Sequence, residues 1–124
     1  MTEIFLKEES YRIIGICMEV HRELGPGFNE VIYKDAVEIE FQRQNIPYIR
    51  EKLYEVNYKG SILKHKYKAD FIVYNAIALE AKATSSIVNR FISIVINYLK
   101  ASGLKLGIIA NFGERSFKFK RVVF

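Results

Sequence analysis

An aspartate, a glutamate and a lysine stand at positions 70, 80 and 82, inside residues 65–84, HKYKADFIVYNAIALEAKAT. Runs of β-branched, aromatic and small apolar residues flank the turn-prone Tyr74-Asn75-Ala76, which predicts an antiparallel hairpin. A ladder symmetric about Asn75 sets Asp70 opposite Glu80. Strand side chains alternate faces, so Asp70, Glu80 and Lys82 share one side, while Phe71, Val73, Ile77, Leu79 and Ala81 share the other. Directly opposed like charges are destabilising, so this pair calls for a cation, and neutralising Asp70 would relieve it. The cation is either the ammonium of Lys82 or a hard divalent ion, which carboxylate oxygens suit. Both together would make a hydrolytic site: the ion polarises a phosphoryl oxygen and acidifies water, and Lys82 orients that water or stabilises developing charge. The competing reading is a hairpin with a solvated charged face.

The segments around this hairpin must hold it. Residues 9–24 carry Ile13, Ile14, Cys17, Val20 and Leu24 at helical spacing, with Ser10 available as N-cap and Gly25-Pro26-Gly27 as terminator. His21 lies in the last turn, where a cation suits the helix dipole; alternatively it faces the site. A second helix is expected from Phe28 or Asn29 to Gln44, with a broad apolar face of Val31, Ile32, Ala36, Val37, Ile39 and Phe41. Glu30 falls in its first turn, where the dipole alone accommodates an acid. Tyr33, one turn on, reaches the same neighbourhood or simply packs. After Asn45-Ile46-Pro47, a strand over 48–58 turns at Lys59-Gly60 into a strand over 61–74. Thr84-Ser85-Ser86 would cap a helix running to Ser102, closed by Gly103. Strands over 105–110 and 116–124 finish an α/β order ααβββαββ.

A chain of 124 residues is long enough for one domain, 1–124, with its own core. Half of its residues are hydrophobic and 27% are charged, which excludes a disordered segment. No apolar run reaches membrane-spanning length, and residues 1–10 carry Glu3, Lys7, Glu8 and Glu9 rather than a signal-peptide core, so a cytoplasmic protein without a membrane partner is expected. The single cysteine, Cys17, sits on an apolar row and reads as a buried small hydrophobe. A net charge of +5 suits a polyanionic partner, with Lys64, Lys66 and Lys68 leading into the carboxylate hairpin as candidate nucleic-acid contacts. A generic solvated basic face would look the same.

An acid in one hairpin strand followed by Glu-x-Lys in the next resembles the PD-(D/E)XK nuclease superfamily, with Asp70, Glu80 and Lys82 at its motif positions. Gly27-Phe28-Asn29-Glu30-Val31-Ile32-Tyr33 sharpens this, because it resembles the signature of the GxxExxY proteins in that superfamily. Residues 20–27 and 97–107 resemble the same family. The resemblance implies a restriction-endonuclease-like core, a mixed sheet flanked by helices with the active hairpin at its centre. It implies a nuclease using Mg²⁺ or Mn²⁺ on DNA or RNA. Glu30, Asp70, Glu80 and the Ala81 backbone carbonyl would be the ligands, with Lys82 catalytic and Tyr33 and His21 supporting. The helix before Asn97-Tyr98-Leu99 departs from the family, which commonly has a glutamine where Ile94 stands. The nearly all-apolar run over 91–96 leads to an expected homodimer through that helix. A nuclease-fold binding module without turnover is the alternative.

Overall fold

The computed structural model describes residues 6–124, so the first half of the 1–10 segment lies outside the described residues. Helix α1 (Lys7–Leu24) buries Ile13, Ile14, Ile16, Cys17 and Val20 as the periodicity predicts, but it begins before Ser10, which is itself buried and is not the cap. The helix stops at Gly25, with φ of 68° and its N–H donating to the His21 carbonyl at 2.8 Å. Gly27 follows at φ 115°. Both angles are ones that a side chain would strain, so the turn depends on glycine.

Helix α2 (Glu30–Arg43) starts at Glu30 and buries Tyr33, Lys34, Val37 and Phe41. The broad apolar face is not formed, since Val31, Ile32 and Ile39 are exposed. At 3.6 residues per turn, Tyr33, Val37 and Phe41 fall on one line against the sheet, and the other apolar positions rotate away from it.

Strand β1 (Tyr48–Tyr54) is followed by a two-residue hairpin of β2 (Asn57–Tyr58) and β3 (Ser61–Ile62), then β4 (Tyr67–Val73) and β5 (Ile77–Lys82). The long strands expected over 48–58 and 61–74 are thus each interrupted. Their inner portions pair only with each other, as a separate exposed two-stranded sheet. Helix α3 (Asn89–Ser102) then crosses over to β6 (Leu106–Asn111), and β7 (Lys118–Val123) ends the chain. The main sheet has the order β1-β4-β5-β6-β7. Only the β5–β6 pair is parallel, as a helical crossover requires, so the sheet is mixed and β5 is its middle strand.

Two layers of helix sandwich the sheet. Phe71, Val73, Ile77, Leu79 and Ala81 face α1 and α2, while Ile72, Ala78 and Ile109 face Phe91, Val95 and Leu99 of α3. A Cβ on Gly107 would lie 2.4 Å from Val95 Cγ1, so α3 sits directly on bare β6 backbone. Helix α3 starts later than expected because Thr84 is used elsewhere: its N–H donates to Asn111 and its hydroxyl to the Ser86 carbonyl. Among the described residues, no helix is long and apolar enough to cross a membrane.

Candidate active site at the opening of the central hairpin

The β4–β5 ladder pairs Phe71 with Leu79, Ile72 with Ala78 and Val73 with Ile77, a register symmetric about Asn75 that brings Asp70 level with Glu80. Beyond Phe71 the pairing changes character. The Asp70 N–H donates to Glu80 Oε1 at 3.3 Å, and the Ala81 N–H donates to Asp70 Oδ2 at 2.9 Å. Side-chain carboxylates have replaced backbone carbonyls as acceptors, so the two strands part here around a pair of acids. Across β4 on its other side, Glu51 stands between the Arg50–Phe71 and Lys52–Ala69 pairs, at a φ of 57° that is rare for a non-glycine residue within a strand.

The cation on this cluster is Lys34, which the hairpin reading did not consider. Its Nζ donates to Asp70 Oδ1 at 3.1 Å and to Glu51 Oε1 at 3.1 Å, and its side chain is only 9% exposed. Burial pushes the Lys34 ammonium down, but Asp70 and Glu51 more than offset it and the net shift is upward. Lys34 also holds Glu51 below the usual carboxylate range. The signal in the sequence was available: Lys34 follows Tyr33 on the rim of the buried stripe, one turn after Glu30.

Glu80 is 4% exposed, and burial together with the Asp70 charge pushes its carboxyl up to about 10. Burial and Asp70 also raise Glu30, while Lys82 and Lys34 pull it down, so all four charged groups share one field. Tyr98 of α3 belongs to it as well. Burial, then Glu80, Asp70 and Glu30, push its hydroxyl up to about 12, and its ring stands edge-on to Tyr67 at 5.6 Å. The Lys82 ammonium lies 4.7 Å from the centroid of the Phe91 ring, so α3 holds it beside the acids. Groups from both helical layers therefore meet where the hairpin opens.

The sequence profile of the PD-(D/E)XK nuclease superfamily matches residues 7–122. The chain belongs to the PD-(D/E)XK nuclease superfamily. In its fold it is similar to the crystal structure of SSO0001, with a TM-score of 0.60 and 21% identity over 76% of this chain and 50% of that one. It thus spans half the length of that protein. A comparison with curated proteins finds no match.

In this superfamily member, Asp70, Glu80 and Lys82 come together as the motif implies, with Glu30 within electrostatic reach. Other implied residues stand apart. His21 makes its 2.8 Å bond to the Glu114 carbonyl and packs on Phe117, which ties α1 to the β6–β7 loop. Tyr33 is fully buried, stacked on Phe112, with its hydroxyl donating to the Gly25 carbonyl at 2.6 Å and accepting from the Phe28 N–H at 3.2 Å. It fixes the glycine turn that delivers Glu30. The Ala81 N–H donates to Asp70 Oδ2. Lys64, Lys66 and Lys68 are exposed, and Lys68 lies 4.0 Å from Glu51.

Asn111 is a further positioning residue that no motif marked. Fully buried and level with Lys82, it accepts from the Thr84 N–H at 3.0 Å and donates to the Thr84 carbonyl at 3.0 Å and to Glu114 Oε2 at 2.8 Å. The Phe112 N–H donates to the Lys82 carbonyl at 2.7 Å. Together these bonds fix the strand end that carries Lys82. As for a divalent ion, Asp70 and Glu80 are hard oxygen donors crowded together, which is the donor chemistry Mg²⁺ or Mn²⁺ uses. Among the described residues, however, no three His, Cys, Asp or Glu side chains are gathered closely enough to hold an ion, so the nuclease fold supplies two of the three expected acids at contact.

Proposed function

We propose that this chain is a metal-dependent nuclease that hydrolyses phosphodiester bonds in DNA, with RNA the alternative substrate. The observation that carries the reading is the parted hairpin, where Asp70 and Glu80 bond to each other's strands with Lys82 alongside, in a chain of this superfamily. Asp70, Glu80 and the Ala81 carbonyl would hold Mg²⁺ or Mn²⁺, with Glu30 in their field and one step outside. When bound, such an ion supplies positive charge to a phosphoryl oxygen and lowers the pKa of water. Lys82 presents its ammonium to the attacking water and to charge developing on the phosphate. Asp70, anchored by the Ala81 N–H, keeps one oxygen fixed in the cleft. Burial and the Asp70 charge favour the protonated form of Glu80, whose carboxylate would be the form that holds an ion. Lys64 and Lys66 ahead of β4 and Lys68 within it bind backbone phosphates, which makes binding salt dependent.

The chain further reads as one domain of the GxxExxY type, cytoplasmic and paired as a homodimer through α3. A binding module without turnover is the second reading. It is favoured by Ile94, where the family commonly has glutamine, and by the engagement of Asp70 by Lys34. Cleavage of plasmid and labelled oligonucleotides with Mg²⁺ or Mn²⁺ separates the two. The nuclease reading expects turnover in the wild type and none in Lys82→Ala, a truncation at a half-buried strand end that circular dichroism should show folded. Equal activity in both proteins sinks the site, and binding without cleavage favours the module.

A further inference from the structure

We propose that Lys34 is the built-in counter-ion of this site and competes with a divalent cation for Asp70. The inference rests on reading Asp70 and Glu80 as cation ligands. Of the two Asp70 oxygens, Oδ2 accepts from the Ala81 N–H at 2.9 Å, and Oδ1, which takes no backbone bond, carries the Lys34 ammonium at 3.1 Å. A divalent ion on that oxygen, at roughly 2.0–2.6 Å, would stand beside the ammonium at only a few ångströms. In a half-buried cleft, like charges at that range repel, so each cation weakens the other's hold on Asp70.

Glu51 gives Lys34 a second seat. Its Oε1 is as close to the ammonium as Asp70 is, 3.1 Å, so Lys34 can release Asp70 without becoming an unpaired buried charge. Strand β1 places Glu51 there by taking a left-handed residue level with Asp70, a backbone conformation that persists only where the surroundings enforce it. Lys34 is therefore a positioning residue with two stations: on Asp70 and Glu51 together, or on Glu51 alone once a cation has taken Asp70.

The test is calorimetric titration of Mn²⁺ into the wild type, Lys34→Gln and Glu51→Gln. Removing the competitor in Lys34→Gln should tighten Mn²⁺ binding, on the order of tenfold, the size that outer partners of metal ligands commonly carry. Glu51→Gln should weaken it severalfold, because Lys34 then has Asp70 as its only partner. These opposite signs set competition apart from a packing role, which would move both variants the same way. Equal or weaker Mn²⁺ binding by Lys34→Gln overturns the proposal. If circular dichroism shows that variant unfolded, Glu51→Gln decides alone, since its side chain is 46% exposed, and unchanged or tighter binding overturns the proposal. Parallel cleavage assays separate this proposal from the nuclease reading. Tighter binding by Lys34→Gln without cleavage by any protein upholds competition and sinks the nuclease, whereas cleavage with unchanged Mn²⁺ affinity does the reverse. No uptake by any of the three proteins overturns both.

Discussion

At the scale of single residues, the site is a contest between burial and charge. Glu80 shows which wins: its carboxyl, ordinarily near 4.5, is pushed up to about 10. Through that window the folded protein holds a proton that the unfolded chain has released, so stability falls as pH rises. Glu80→Gln should therefore flatten the decline in melting temperature between about pH 5 and about pH 9, measured in chelator. A mutant curve parallel to wild type would count against a protonated Glu80. Asp70 behaves differently because Lys34 is on it. Opposed carboxylates alone predict that Asp70→Asn stabilises the protein, but with Lys34 buried the same change should destabilise it by on the order of 1–3 kcal/mol. Chemical denaturation without divalent ions gives the sign. Glu30 is one step removed. As a complement to the α2 dipole it contributes only about 0.3–1 kcal/mol, so Glu30→Gln should leave stability nearly unchanged and weaken Mn²⁺ uptake severalfold. An unchanged titration returns Glu30 to the dipole.

At the scale of elements, three contacts aim the reactive groups. Tyr33 staples the glycine turn before α2, Lys34 ties α2 to the parted hairpin, and Asn111 locks the segment after β5. Gly113 belongs to the last lock, since a Cβ there would lie 2.4 Å from the Thr84 backbone. Asn111→Ala leaves the Thr84 amide and carbonyl without their buried partner, and is expected to lower stability by about 1–3 kcal/mol. Because Lys82 stands level with Asn111, cleavage should fall further than the lost stability explains, read from kcat at a temperature where the mutant is fully folded. A mutant that loses stability but keeps wild-type kcat would confine Asn111 to the fold.

For the whole molecule, α3 holds the open question of assembly. The expectation of a helix apolar nearly all round is not met: α3 buries Phe91, Val95 and Leu99 against the sheet and turns Arg90, Ser93, Asn97 and Lys100 outward, which leaves only part of its apolar run to be covered. Tyr98 faces the acids, Ile92 and Ile94 are half-buried, and Val88 and Ile96 are exposed. A two-fold pairing of α3 would cover this remainder and bring two sites to one duplex. Light scattering at micromolar concentration should give a dimer mass, and Ile96→Asp should return a monomer of unchanged secondary structure. A wild-type monomer removes the pairing.

What the sequence determined was local or periodic. The two-residue alternation around Asn75 assigned both hairpin faces and brought Asp70 level with Glu80, because register in a tight hairpin follows from its turn. The element order followed from where the apolar period changed and where glycine broke it. Contacts between distant segments were decided only by the tertiary structure. Lys34 on Asp70, Asn111 on Thr84, His21 on Glu114 and Tyr98 facing the acids each join elements whose relative placement depends on how the helices pack on the sheet. The parting of β4 from β5 is of the same kind. A strand pattern reports which residues favour pleated backbone, whereas the exchange of backbone for carboxylate acceptors at Asp70 needs a buried lysine and a displaced neighbouring strand to sustain it.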